Sequence, residues 1–210
     1  MMFYLTLAAL AVASTAQNDL RSKDFALQLS STTNETLNGS LLYACHEGAA
    51  TESLCPGGKP SDEEPLQLYA MFHFNTSTSS ANPNDTKWDN IGGILGYDLP
   101  YNHDQIQPSA MFLYIQPTSN VALPIITPAE SSSTSVFFEE CGSMYIKQYY
   151  DDTTIPPYAN TSEAHIKNWY ICDTYYGYHY RTLAWVVGLD SHSTPQNPTC
   201  EKVDVKRVYA

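Results

Sequence analysis

One stretch near the C-terminus constrains the fold more than any other. Residues 169–187 read Trp-Tyr-Ile-Cys-Asp-Thr-Tyr-Tyr-Gly-Tyr-His-Tyr-Arg-Thr-Leu-Ala-Trp-Val-Val. Aromatic and β-branched side chains at this density suit a pleated surface and disfavour a helix. The stretch reads as a hairpin, followed by a Pro-punctuated loop and a closing strand that begins near Cys200. On a regular strand Leu183, Trp185 and Val187 share one face, and Tyr178, Tyr180 and Thr182 share the other. The first set, continued by Val203 and Val205, reads as core. Cys172 and Cys200 are placed to staple the hairpin to the closing strand.

The rest of the chain repeats the period of two. Phe25, Leu27 and Leu29 alternate with polar residues, and Ser40 to Cys45 reads as the second strand of a hairpin. Residues 17–23 read as a frayed end, and His46 to Pro65 as a loop rich in small residues and turn formers. Leu66 to Phe74 alternates as a long strand. Trp88 to Asp98 reads as a strand with a Gly bulge, and Ala110 to Gln116 as a central strand. Pro124 demotes Val121–Ile126 to an edge. Val136–Glu139 and Met144–Tyr150 flank a turn. About ten strands without a helical period or a repeat predict an all-β antiparallel sandwich, or a closed barrel. With no linker in view, residues 17–210 form one domain.

The N-terminal residues 1–16 are apolar and end in small residues, the pattern of a signal peptide with cleavage after Ala16. No later run reaches the roughly 20 apolar residues of a membrane helix. Five Asn-X-Ser/Thr sequons, at Asn34, Asn38, Asn75, Asn84 and Asn160, fit a secreted glycoprotein. A net charge of −12, with ten Lys and Arg, argues against a nucleic-acid partner. Five cysteines in an oxidising compartment predict disulfides, and sequence alone does not fix their pairing. Cys45 with Cys55 closes a short loop and Cys172 with Cys200 a longer one, each contributing roughly 3 kcal/mol by loop-closure entropy. Cys141 is then left over, and burial is its expected fate.

Chemistry-bearing motifs are scarce. The sequence has no nucleophile elbow, zinc-binding His-Glu-X-X-His, phosphate loop or dinucleotide fingerprint. No two of the six histidines (His46, His73, His103, His165, His179, His192) are spaced as metal ligands on one element, so no metal and no cofactor are expected. Glu139 and Glu140 are adjacent and point to opposite faces of a strand, so they cannot flank one glycosidic bond. Asp62-Glu63-Glu64 and Asp151-Asp152 read as solvated acids. Two candidates remain. His46-Glu47 opens a Gly-Ala-Ala loop between two cysteines, a binding loop or a tight structural turn. Tyr176, Tyr178 and Tyr180 could form a platform on which sugar rings stack, or could simply pack.

Three segments carry a resemblance: Leu41-Leu42-Tyr43-Ala44-Cys45-His46-Glu47-Gly48-Ala49-Ala50, Trp169-Tyr170-Ile171-Cys172, and Asn197-Pro198-Thr199-Cys200-Glu201-Lys202-Val203-Asp204-Val205. They resemble a family of small secreted proteins of filamentous ascomycete fungi, of unknown function. The layout is more loosely similar to fungal cell-wall glycoproteins of the phialide-development type. The resemblance implies an extracellular or wall-associated protein and brings no catalytic residues.

The leading expectation is therefore a secreted, N-glycosylated, non-enzymatic protein at or near a fungal cell wall. The alternatives are a carbohydrate-binding module using exposed Tyr and Trp on cell-wall polysaccharide, and a glycoside hydrolase with dispersed carboxylates.

Overall fold

The computed structural model of the chain describes residues 19–59, 70–82, 84–85, 87–102, 105–128, 132–148, 150–152, 154–159, 164–188 and 194–209. The predicted signal peptide, the Asn160 sequon, the Asp62–Glu64 acids, His103 and His192 lie outside these residues. Among the described residues seventeen strands are formed: β1 (Asp19–Arg21), β2 (Phe25–Ser30), β3 (Leu41–Gly48), β4 (Thr51–Pro56), β5 (His73–Ser77), β6 (Gly93–Tyr101), β7 (Gln105–Tyr114), β8 (Val121–Thr127), β9 (Ser135–Phe138), β10 (Met144–Lys147), β11 (Tyr150–Asp151), β12 (Tyr158–Ala159), β13 (His165–Ile166), β14 (Trp169–Tyr175), β15 (His179–Val186), β16 (Glu201–Lys202) and β17 (Asp204–Tyr209). The all-β antiparallel expectation holds. Fifteen strands join one curled sheet, a half-barrel with main order β13-β10-β9-β6-β7-β8-β4-β3-β2-β17, and β11–β12 form a small second sheet.

Single bridges stitch the curl. Phe25 and Phe72 exchange backbone hydrogen bonds of 2.8 and 2.9 Å, tying β2 to the start of β5. The Arg207 N–H donates to the Gly142 carbonyl at 2.8 Å, which returns β17 to the turn between β9 and β10. Inside the curl lies the main core, including Phe25, Leu27, Phe72, Phe74, Leu95, Met111, Phe138 and Trp169.

The β14–β15 hairpin lies off the main path and pairs through β15 with β8. It is packed on both faces. Trp169, Ile171, Leu183 and Trp185 enter the main core. Tyr170, Cys172, Ala184 and Val186 join Val121, Leu123 and Ile125 in a second cluster, against which Tyr114, Tyr176 and Cys200 pack. Two buried faces explain the near-continuous apolar run that marked this segment in the sequence. Both disulfides, Cys45–Cys55 and Cys172–Cys200, are formed.

Five expectations are corrected. Residues 19–21 are not frayed: β1 pairs with β5. The segment after His46 is not all loop, because β4 pairs with β3 and β8. Its turn places Ala50 at φ 52°, so the Gly or Asn that usually marks a hairpin turn is missing. Strand β8 is central rather than an edge. Its outer neighbour changes from β15 at Val121–Ala122 to β4 at Ile125–Ile126, and Pro124 sits in the gap where no outer partner needs its missing N–H. Val187 is exposed, because β15 ends at Val186. Cys141 is exposed too, since it occupies the tight turn in which Gly142 and Ser143 bond back to Glu139.

Candidate functional site

The site forms where the tip of the β14–β15 hairpin docks on the β3–β4 hairpin. A bulge interrupts the β3–β4 register between His46 and Gly48. Glu47, between them, is 3% exposed. The Ser53 hydroxyl donates to Glu47 Oε1 at 2.9 Å. The backbone N–H groups of Gly177 and Tyr178 donate to Oε2 at 3.1 and 3.0 Å. Charge-assisted bonds of this kind are about twice as strong as neutral ones. The tip fits only because residue 177 is Gly: a Cβ there would stand 1.9 Å from the Glu47 carbonyl oxygen. Glu47 is thus a structural clamp with its oxygens occupied.

The clamp brings the two sequence candidates together. The exposed His46 ring faces Tyr178 at a centroid distance of 6.0 Å, and Tyr178 lies 5.9 Å from Tyr180. Tyr175 and His179, a cross-strand pair, add a second ring contact at 4.7 Å. Tyr175, Tyr178 and Tyr180 are 64, 51 and 37% exposed. Tyr176 behaves differently: it packs edge-on against Tyr114 at 4.9 Å and covers the second core cluster. Tyr180 and Arg181 line two shallow grooves. One, of about 480 Å³, runs past Tyr175, His179 and Asp173. The other, of about 390 Å³, runs past Tyr43, Pro56 and Thr36. Arg181 is held by Glu201, whose other oxygen accepts from Asn34 Nδ2 at 2.6 Å.

Tyr43, His179 and Arg181 were not read as site residues from the sequence. His179 could have been found only from the hairpin register, and Tyr43 only from the docking of two distant hairpins.

Glu52 is buried and its pKa is raised by burial, with Glu47 adding to the rise and His46 opposing it. His46 Nδ1 lies 3.7 Å from Glu52 Oε1. Burial, with help from Glu52 and Asp98, pushes the Tyr97 phenol up to about 12. Away from the grooves, His165 Nδ1 and Lys167 Nζ each contact a Glu139 oxygen at 2.8 Å. Burial alone would raise the pKa of Glu139, but the bonds from Lys167, His165 and Cys141 override it and hold it at about 2. A depressed carboxylate stabilises the fold above its unfolded pKa and loses that contribution as pH falls through the folded value. Glu139→Gln should therefore melt below the parent at pH 7, and the gap should close between pH 4.5 and 2. A gap in melting temperature that stays constant over that range would show the ion pairs to be idle. Among the described residues no group of three or more His, Cys, Asp or Glu could hold a metal ion, and no helix is long and apolar enough to cross a membrane.

Fold and surface define a disulfide-stapled all-β protein whose outstanding exposed feature is an aromatic hairpin tip. The chain belongs to the family described as a domain of unknown function, DUF7907, whose model matches residues 22–209. No curated protein and no solved structure matches the chain.

Proposed function

We propose that this is a secreted, N-glycosylated, non-enzymatic protein that holds a polysaccharide chain along the grooves at its aromatic tip. The observation that carries the reading is the convergence of Tyr178, Tyr180, Tyr175, His46 and His179 on one exposed end, with two grooves meeting at Tyr180. Planar rings with polar rims suit sugar faces and sugar hydroxyls together. Occupation of Glu47 by the hairpin tip argues against a nearby catalytic carboxylate pair. A fungal cell wall is the setting that the sequence resemblance suggests.

Two disulfides suit an oxidising compartment. Asn38 and Asn84 are exposed and are the sequons expected to carry glycans most readily.

Retention on immobilised chitin, β-glucan and mannan tests the proposal. Tyr180→Ala should weaken retention on the bound polymer by about tenfold, the scale of one ring contact. Absence of retention on all three, or an unchanged Tyr180→Ala protein, sinks the reading.

A further inference from the structure

A second place in the fold gathers polar side chains around a cavity, on the outer face of β5, β6 and β7 and apart from the aromatic tip. A cavity of about 200 Å³ is lined by His73, Asn75, Ser109, Ile94 and Pro108 among others. His73 is 4% exposed, yet its ring has no hydrogen-bond partner among the described residues, and neither has the Asn75 amide. The imidazole is accommodated over β6 because residue 96 is Gly: a Cβ there would lie 2.2 Å from His73 Nε2. Burial lowers the His73 pKa and Arg21 lowers it further, against the pull of Asp98 and Asp24, which favours the neutral ring. A neutral imidazole offers one donor and one acceptor, and an amide offers two donors and an acceptor. Ile94, Pro108 and Ala110 supply an apolar wall. Adjacent hydroxyls on a ring with a C–H face would match this combination. Asn75 is also the acceptor of the Asn75-Thr76-Ser77 sequon, so a linked sugar would start at the cavity itself.

We propose that this cavity is a saccharide site that seats the first N-acetylglucosamine of a glycan on Asn75, with His73 hydrogen-bonding the sugar. The tethered sugar rests on the secreted reading, and Asn38 and Asn84 provide its control. The experiment uses the full chain secreted from a eukaryotic host. Glycopeptide mass mapping reads the occupancy of each sequon, and NMR reads the His73 ring. The expected result is an occupied Asn75, with nuclear Overhauser contacts between sugar protons and the His73 ring. These contacts should vanish in Ser77→Ala, which keeps Asn75 but removes the sequon, and in Asn75→Gln, the second variant should the first misfold. An occupied Asn75 without such contacts overturns the proposal. If Asn75 is empty while Asn38 and Asn84 are occupied, the secreted reading stands and the proposal is overturned.

Discussion

Gly177→Ala should detach the aromatic tip and cost about 3 kcal/mol or more of stability. The added Cβ would stand 1.9 Å from the Glu47 carbonyl oxygen, far inside contact distance. That oxygen lies in the β3 bulge, which ladder pairs at His46 and Gly48 and the Cys45–Cys55 bridge hold on either side, so β3 has little room to retreat. The tip must lift instead. Lifting pulls the Gly177 and Tyr178 N–H groups off Glu47 Oε2 and leaves a buried carboxylate short of two donors. A buried charge deprived of partners is among the most expensive defects a single substitution can cause. Glu47→Gln separates clash from charge. It keeps one acceptor oxygen and introduces no clash, so it should cost less, about 1–2 kcal/mol. The urea midpoints should rank parent, Glu47→Gln, Gly177→Ala. Polysaccharide retention should fall with Gly177→Ala even below its unfolding midpoint, because Tyr178 moves with the tip. A Gly177→Ala midpoint equal to the parent's would mean that the tip does not rest on Glu47.

Much of this arrangement was legible in the sequence, and the failures share one cause. Alternation at Phe25-Leu27-Leu29 and the apolar run at Leu183–Val186 mark buried strand faces because the side-chain period of a strand is local. The spacing of Cys45–Cys55 and Cys172–Cys200 put forward the two bridges that form. The misread elements depend on neighbours. The turn at Ala50 adopts a left-handed conformation without the residue that usually announces it. Pro124 is tolerated centrally only because two strands share one side of β8. The His46 loop and the Tyr178–Tyr180 face read as two separate candidates, and only a contact spanning 130 residues between Glu47 and Gly177 brings them together. His46-Glu47 read as either a binding loop or a tight structural turn, and Glu47 takes the structural part. The bulge that turns it inward leaves no mark in composition. Tyr176 looked like its neighbours, yet packing against Tyr114 removes it from the platform.

Trp169→Ala should be the most damaging core truncation, at about 3–5 kcal/mol. Trp169 is the largest fully buried side chain, edge-on to Trp185 at 4.7 Å. Its Nε1–H donates to the Met144 carbonyl at 2.8 Å, which ties the off-path hairpin to β10. Alanine removes both contributions together: the ring leaves a cavity among residues already at close packing, and the Met144 carbonyl loses its donor in a dry place. For a chain of this size the loss corresponds to a fall in melting temperature of about 10 °C or more. Trp169→Phe refills most of the space and forfeits mainly the hydrogen bond, so it should cost about 1–2 kcal/mol. The difference between the two variants measures the packing share, and thermal unfolding of all three proteins reads it. Near-equal losses for Phe and Ala would assign Trp169 the role of a hydrogen-bonded strut. A large gap would make it the wedge that holds the β14–β15 hairpin against the curled sheet. The burial of the whole indole favours the wedge, because one hydrogen bond contributes about 1 kcal/mol and an indole's worth of cavity several times that. The aromatic tip would then depend on two anchors of different kinds, an apolar one at Trp169 and an ionic one at Glu47. Loss of Trp169 should loosen the hairpin from its base, and loss of the Glu47 clamp should free only its end.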